Sequence, residues 1–285
     1  MKTTGKINTS LLISPRVKQS NQQTAQIIPS APRQSVTTVK SDCSSYAHPI
    51  CNTATNPRSA IGGKAESSAM EYEPVQIHPH HSPNPSKQET FTVICHSHRV
   101  RTVVTAKAAV VRKWVHKIRY HHRHQLRHGR MVVGLGVQWV PGRNAPATLQ
   151  LCVGHHCLIF QLTRAAHSPA VLRRFLSEPS VKFVGVWNYK DASMLRESKH
   201  RLHISQLVDV RDVASELRGC SRGASMERLA AKILGMDGVE KKEWVGRSDW
   251  DETWLSEEQV GYACVDAFLC FLMAKALRVW NWSED

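Results

Sequence analysis

The stretch VVGLGVQW, residues 132–139, reads as a buried strand, because Val132, Val133, Leu135 and Val137 leave little polar surface in it. Successive side chains of a strand point to opposite faces, so Gly134, Gly136 and Gln138 share one face. That face carries two hydrogens and one amide. Two physical readings follow: a neighbouring backbone approaches too closely for a Cβ, or the face borders a site whose side chains have been lost.

The rest of the ordered sequence places this strand in a sheet. Residues 147–153 and 156–162 read as two further strands, separated by a Gly-His-His connection short enough for an antiparallel pair. Upstream, FTVIC and VRTVVT flank a polar His-Ser-His and form a hairpin, followed by a helix over 107–120 with Val110, Val111, Trp114 and Ile118 near one stripe. Downstream, Ser168 and Pro169 open a helix as cap and first helical residue, and VKFVGVW (181–187) is a fourth core strand leading into the helical start NYKDASMLRES. Helices are expected over 206–217 and 225–235, the latter stopping at Gly235. A long, mostly buried helix opens at Ser256 in SEEQVGYACVDAFLCFLMAKALRVW. The alternation predicts an α/β fold, a mixed β-sheet flanked by helices, in one domain over 91–285. Residues 1–90 are rich in Ser, Thr, Gln, Asn and Pro, and are expected to form a disordered arm.

Of the formal net charge of +15, most lies in one stretch: residues 91–130 hold ten Lys and Arg and no Asp or Glu. Such a segment suits a polyanion, since neutralising phosphates releases condensed counterions. Its candidate phosphate contacts are Arg112, Lys113, Lys117, Arg119, Arg123, Arg127 and Arg130. The alternative is a solvated basic helix face. Eight cysteines without a Cys-x-x-Cys pair point to a reducing compartment, nucleus or cytoplasm, and to no disulfide framework. His121, His122, His124 and His128 lack partner thiolates, so no structural zinc is expected there. The first 41 residues contain no acid, a pattern shared with organellar leaders, although a plain disordered tail is the favoured reading. No unbroken apolar run reaches membrane-spanning length, so a soluble chain is expected.

Three ordered motifs then stand out: VVGLGVQW, FVGVWNYKDASML and YACVDAF. Together with ATLQLCVGHHCLIFQL, they resemble the Werner-type 3′–5′ exonuclease domain, in particular its plant-like branch. That family is a DEDDy exonuclease with a ribonuclease-H-like fold, and the resemblance covers roughly residues 91–280. It implies two divalent ions, Mg²⁺ or Mn²⁺, clamping the attacking and leaving oxygens of a phosphodiester. Hard cations of this kind want carboxylate oxygens. In the late motif, the resemblance makes Tyr262 the residue that orients the attacking water and Asp266 a metal ligand, with the required i, i+4 spacing. Asp191 matches the middle motif as a second metal ligand. The first motif departs from the family: Gly136 stands where it has Asp, and Gln138 where it has Glu.

Removing two of four carboxylates leaves metal binding weak or lost. A deficit of about 4–6 kcal/mol in transition-state stabilisation would slow the reaction on the order of 10³- to 10⁴-fold. The expectation is therefore a 3′–5′ exonuclease-like protein that binds DNA or RNA without sequence preference and is catalytically dead or impaired. A weakly active exonuclease and an interaction module pairing with itself or with an active relative are the alternatives. Asp209 and Asp212, on a separate segment, are not expected to act as replacement ligands. Trp139 and Trp187 are candidates for base stacking, with core packing the favoured reading of both.

Overall fold

A computed structural model describes residues 75–143 and 145–283. All of them fall in the second of two compact units, Glu66–Asp285. The reading of residues 1–74 as a disordered arm lies outside the described residues.

Eight strands form one mixed sheet in the order β1-β2-β3-β6-β5-β4-β7-β8. The strands are β1 (Val75–His80), β2 (Glu89–Cys95), β3 (His98–Thr105), β4 (Met131–Gln138), β5 (Thr148–Val153), β6 (His156–Gln161), β7 (Val181–Gly185) and β8 (Leu207–Asp209). β4 pairs antiparallel with β5 and parallel with β7; β5 is antiparallel to β6, and β7 parallel to β8. The run β6-β5-β4-β7-β8 is thus a five-stranded unit of order 3-2-1-4-5 with its second strand reversed, the sheet expected of a ribonuclease-H-like fold. The β2–β3 hairpin joins it through the parallel β3–β6 pair.

β1 lies within the segment expected to be disordered. Its sequence, VQIHPH, buries little, and Pro79 suits an edge strand, where a missing backbone donor need not interrupt a ladder. A second difference concerns 206–217. Leu207 and Val208 are apolar enough to serve as the outer strand β8, and the helix, α5 (Val210–Arg218), begins only after Asp209, whose carboxylate caps it by accepting from the Arg211 N–H at 3.0 Å. A third concerns α3 (Ala170–Leu176). Pro169 is its N-cap, while Ser168 lies one residue outside, buried and without a side-chain partner among the described residues.

Two helical layers cover the sheet. On one face lies the long terminal helix α8 (Glu257–Ala276), packed across β1 to β7. Its start is fixed by a reciprocal capping box: Ser256 Oγ accepts from the Gln259 N–H at 3.2 Å, and the Gln259 side chain accepts from the Ser256 N–H at 2.9 Å. α8 is long and apolar enough to span a membrane by composition, but most of it is buried within this fold, which is why it is apolar around its circumference. α1 (Ala108–His121) turns Val111, Trp114, Val115 and Ile118 inward and packs with α3 against β6 and β7, forming the other layer.

Gly134 shows how closely α8 seats. A Cβ built there would lie 1.8 Å from the Ala267 carbonyl oxygen and 2.8 Å from the Phe271 nitrogen. Here the bare strand face means backbone against backbone.

Candidate active site

Two residues further along β4 the situation changes. The nearest atoms to a Cβ at Gly136 would all be side-chain ones, the Gln150 Oε1 at 2.9 Å, the Asp266 Cβ at 3.7 Å and the Gln150 Cβ at 3.8 Å. There the strand face borders a cleft rather than a helix backbone.

The cleft is a cavity of about 370 Å³ at the carboxyl ends of β4 and β7, where the strand order reverses. This is the crevice that open α/β sheets use for ligands. Gly136, Gln138, Asp191, Tyr262 and Asp266 all line it, so the fold brings together the residues of all three sequence motifs. Gln138 comes from the end of β4, Asp191 from the first turn of α4 (Tyr189–Glu197), and Tyr262 and Asp266 from successive turns of α8.

Both oxygens of Asp266 are engaged by protein donors. The Gln138 side-chain amide donates to Oδ2 at 2.9 Å, and the Lys241 ammonium pairs with Oδ1. The same ammonium lies 4.4 Å from the centre of the Tyr262 ring. Burial disfavours the Lys241 charge, but the Asp266 carboxylate and the Tyr262 side chain outweigh it and hold the ammonium above its ordinary pKa. Burial pushes the Tyr262 phenol up, against the opposing pull of Lys241. Tyr262 is seated against the backbone of Gly246 on the short helix α7 (Glu243–Gly246), where an added Cβ would lie 2.7 Å from its hydroxyl.

Asp191 is buried at 6% exposure. Burial, followed by the carboxylates of Asp266 and Asp209, raises its pKa to about 8. It therefore carries a proton at neutral pH. Gln150, buried behind Gly136, spends its amide N–H on the Thr148 hydroxyl at 2.6 Å and leaves its carbonyl oxygen without a partner among the described residues.

This donor set does not fit a two-metal centre. Position 136 supplies no ligand, Gln138 offers at best a neutral oxygen and turns its N–H to the carboxylate, and Asp266 is neutralised by Lys241. Among the described residues, no three His, Cys, Asp or Glu side chains converge as a metal-holding group. Lys241 was not visible in the sequence as a site residue. It sits in a polar loop next to Lys242, and only the fold carries it across the cleft.

The two tryptophans correct another expectation. Trp139 is 37% exposed and Trp187 51% exposed, and both line the cavity, so neither is a core residue. Asp209 and Asp212 are also accounted for: Asp209 binds Arg211, and Asp212 pairs with Arg222.

The basic segment does not converge on the cleft. Arg112, Lys113 and Lys117 are exposed on α1, in the layer away from α8. Arg123 and Arg127 are exposed on the following short helix α2 (Arg123–Arg127), and Arg130 precedes β4, at the strand end opposite Gln138. Arg119 is half-buried, pairing with Glu178 at 3.4 Å and lying over Phe175, so it serves the α1–α3 contact. Arg123 stacks on the exposed Tyr120 ring at 5.1 Å.

Comparison with known proteins supplies the family context. Residues 140–279 match the family model described as 3′–5′ exonuclease, a span that includes Asp191, Tyr262 and Asp266 and begins just after Gln138. A 3′–5′ exonuclease of Drosophila yakuba is 30% identical over 136 residues, covering 45% of this chain and 37% of the fly protein. The human exonuclease mut-7 homolog is 27% identical over 172 residues, covering 51% of this chain and 20% of that protein. This chain therefore spans well under half the length of these relatives. Among solved structures, Escherichia coli RNase D, an exoribonuclease, aligns with a TM-score of 0.46 at 19% identity, over 55% of this chain and 42% of that one. The matched segment, just under half of the chain, is thus similar to 3′–5′ exonucleases.

Proposed function

We propose that this protein is an exonuclease-like domain that holds a nucleic-acid strand in its cleft while its own phosphodiester hydrolysis is lost or severely reduced. The observation that carries the reading is the state of Asp266, whose two oxygens are taken by the Gln138 amide and the Lys241 ammonium. Each oxygen already meets a protein donor, and the Lys241 ammonium beside them repels an approaching Mg²⁺, a cation that dehydrates reluctantly.

The substitutions also change what the cleft attracts. Where the family's site has four carboxylates, this cleft keeps Asp191 and Asp266 and adds the Lys241 ammonium, with Glu227 and Glu243 also in its lining. The exposed basic residues of α1 and α2 would add sequence-independent backbone contacts on another face of the domain. A reducing compartment, nucleus or cytoplasm, belongs to the same proposal. Six cysteines among the described residues are free and buried, where thiols act as small hydrophobes.

The test is a 5′-labelled DNA duplex with a recessed 3′ end, incubated with wild-type protein in Mg²⁺ and then Mn²⁺. The Gly136→Asp/Gln138→Glu variant runs beside it, with and without Lys241→Ala. Shortening only by the repaired proteins, and most by the one lacking Lys241, is the expected result. Cutting by the wild type that stops in Asp266→Ala would establish an active exonuclease instead. A wild type with no affinity for the duplex, eluting as a stable oligomer, would favour an interaction module.

A further inference from the structure

Trp187 combines three features seldom found together in a bulky side chain. Its backbone is left-handed, with φ 57°, a conformation that β-carbon-bearing residues adopt only when their surroundings enforce it. Its indole is 51% exposed, so burial does not compensate for that conformation. And it is pinned. The Trp187 N–H donates to Asp209 Oδ2 at 2.9 Å; Asp209 in turn grips Arg211 through Nε at 3.0 Å and Nη2 at 2.7 Å. The Arg211 guanidinium carbon lies 3.3 Å from the centre of the indole, with Nη1 donating to the Arg222 carbonyl at 2.8 Å.

Trp187, Asp209 and Arg211 thus form a closed network whose product is a rigid, exposed aromatic plane. One face rests on a guanidinium, and Trp187 is among the residues lining the cavity that also holds Trp139, Asp191 and Lys241. Backbone strain maintained by such a network is characteristic of functional positions. Ordering an aromatic plane before the ligand arrives reduces the cost of binding.

We propose that Trp187, backed by Arg211, is a stacking platform for a nucleobase of the bound strand. This rests on the nucleic-acid reading above and adds to it the group that holds a base. A flat apolar plane backed by a cation suits a base, since each base offers a π-face and stacking tolerates any sequence. A paired base inside a duplex has both faces covered by its neighbours and cannot use the platform without unstacking.

The experiment uses the full chain and two 5′-fluorescein oligonucleotides of equal length, one of thymidines and one of abasic tetrahydrofuran units, read by anisotropy in EDTA. Wild type should bind the thymidine strand tighter than the abasic one. Trp187→Ala should lose at least about fivefold on the thymidine strand and almost nothing on the abasic strand, and Trp187→Phe should keep most of the preference. Trp187→Gly, which sits at ease at φ 57°, should behave like the Ala variant and so separates the missing ring from a misfolded loop. Unchanged binding of both strands by Trp187→Ala overturns the platform, as does an equal loss on both, and either result leaves the nucleic-acid reading standing. A wild type that binds neither strand overturns both.

Discussion

The side-chain amide of Gln138 donates to Asp266 Oδ2 across 2.9 Å, so that a β-strand and the terminal helix are joined where the family would place two carboxylates around a cation. Replacing that amide by a carboxylate sets two like charges at hydrogen-bonding distance. Gln138→Glu should therefore destabilise the fold by about 1–3 kcal/mol. Mn²⁺ should restore part of the loss, because the variant regains a pair of anionic ligands. Thermal melts with and without Mn²⁺ check this: the ion should raise the Tm of the variant and leave the wild type unmoved.

The two glycines of β4 make a paired prediction. Gly134→Ala drives a methyl to within 1.8 Å of a helix carbonyl and should cost at least about 3 kcal/mol. Gly136→Ala meets side-chain atoms, first the end of Gln150, and should change stability by no more than about 1 kcal/mol. Urea denaturation of both variants decides it. Comparable losses would mean that position 136 is also closed by packing, and that no side-chain site lies there.

Asp191 links stability to pH. Burial, then the neighbouring carboxylates, raises its folded pKa to about 8 from an ordinary 3.8. Between these values the native state holds a proton that the unfolded chain has released, so the contribution of this group to stability falls as pH rises from about 4 to about 8. Asp191→Asn, which cannot ionise, should be nearly neutral at pH 4 and progressively more stable than wild type toward pH 8, by a few kcal/mol. The difference in Tm between the two proteins, followed across that range, is the measurement.

The basic helix should act independently of the cleft. Reversing Arg112, Lys113 and Lys117 to Glu removes exposed cations from the α1 surface. If they contact backbone phosphates, the slope of log K against log salt for duplex DNA should become shallower by about 2–3. The preference for base-bearing over abasic strands should stay as in wild type. Loss of that preference would mean that one strand engages both surfaces at once.

Much of the fold was legible because it is written in local patterns. Alternating and continuous apolar runs located β2 to β7, and the Ser256–Gln259 box with the apolar run behind it located α8. β1 was not legible, since an exposed edge strand carrying Pro79 buries too little to leave a pattern. β8 was hidden because three residues are too few to show a period, and the helix behind them dominated the reading. The motif positions Gly136, Gln138, Asp191, Tyr262 and Asp266 came from the family resemblance, which is carried by short runs within single elements.

What the sequence determined by itself was that Gly136 and Gln138 share one strand face, since a periodicity of two puts them there whatever lies opposite; the resemblance implies carboxylates at both positions. What only the tertiary structure decided was what stands in their stead. Lys241, Gln150, Trp187 and Arg211 reach the cleft region from different elements, and nothing in their local sequence distinguishes a cleft residue from a solvated one. Ion pairing, burial and the enforced left-handed turn at Trp187 are relations between segments distant in the chain, and they exist only once the sheet has closed against α8.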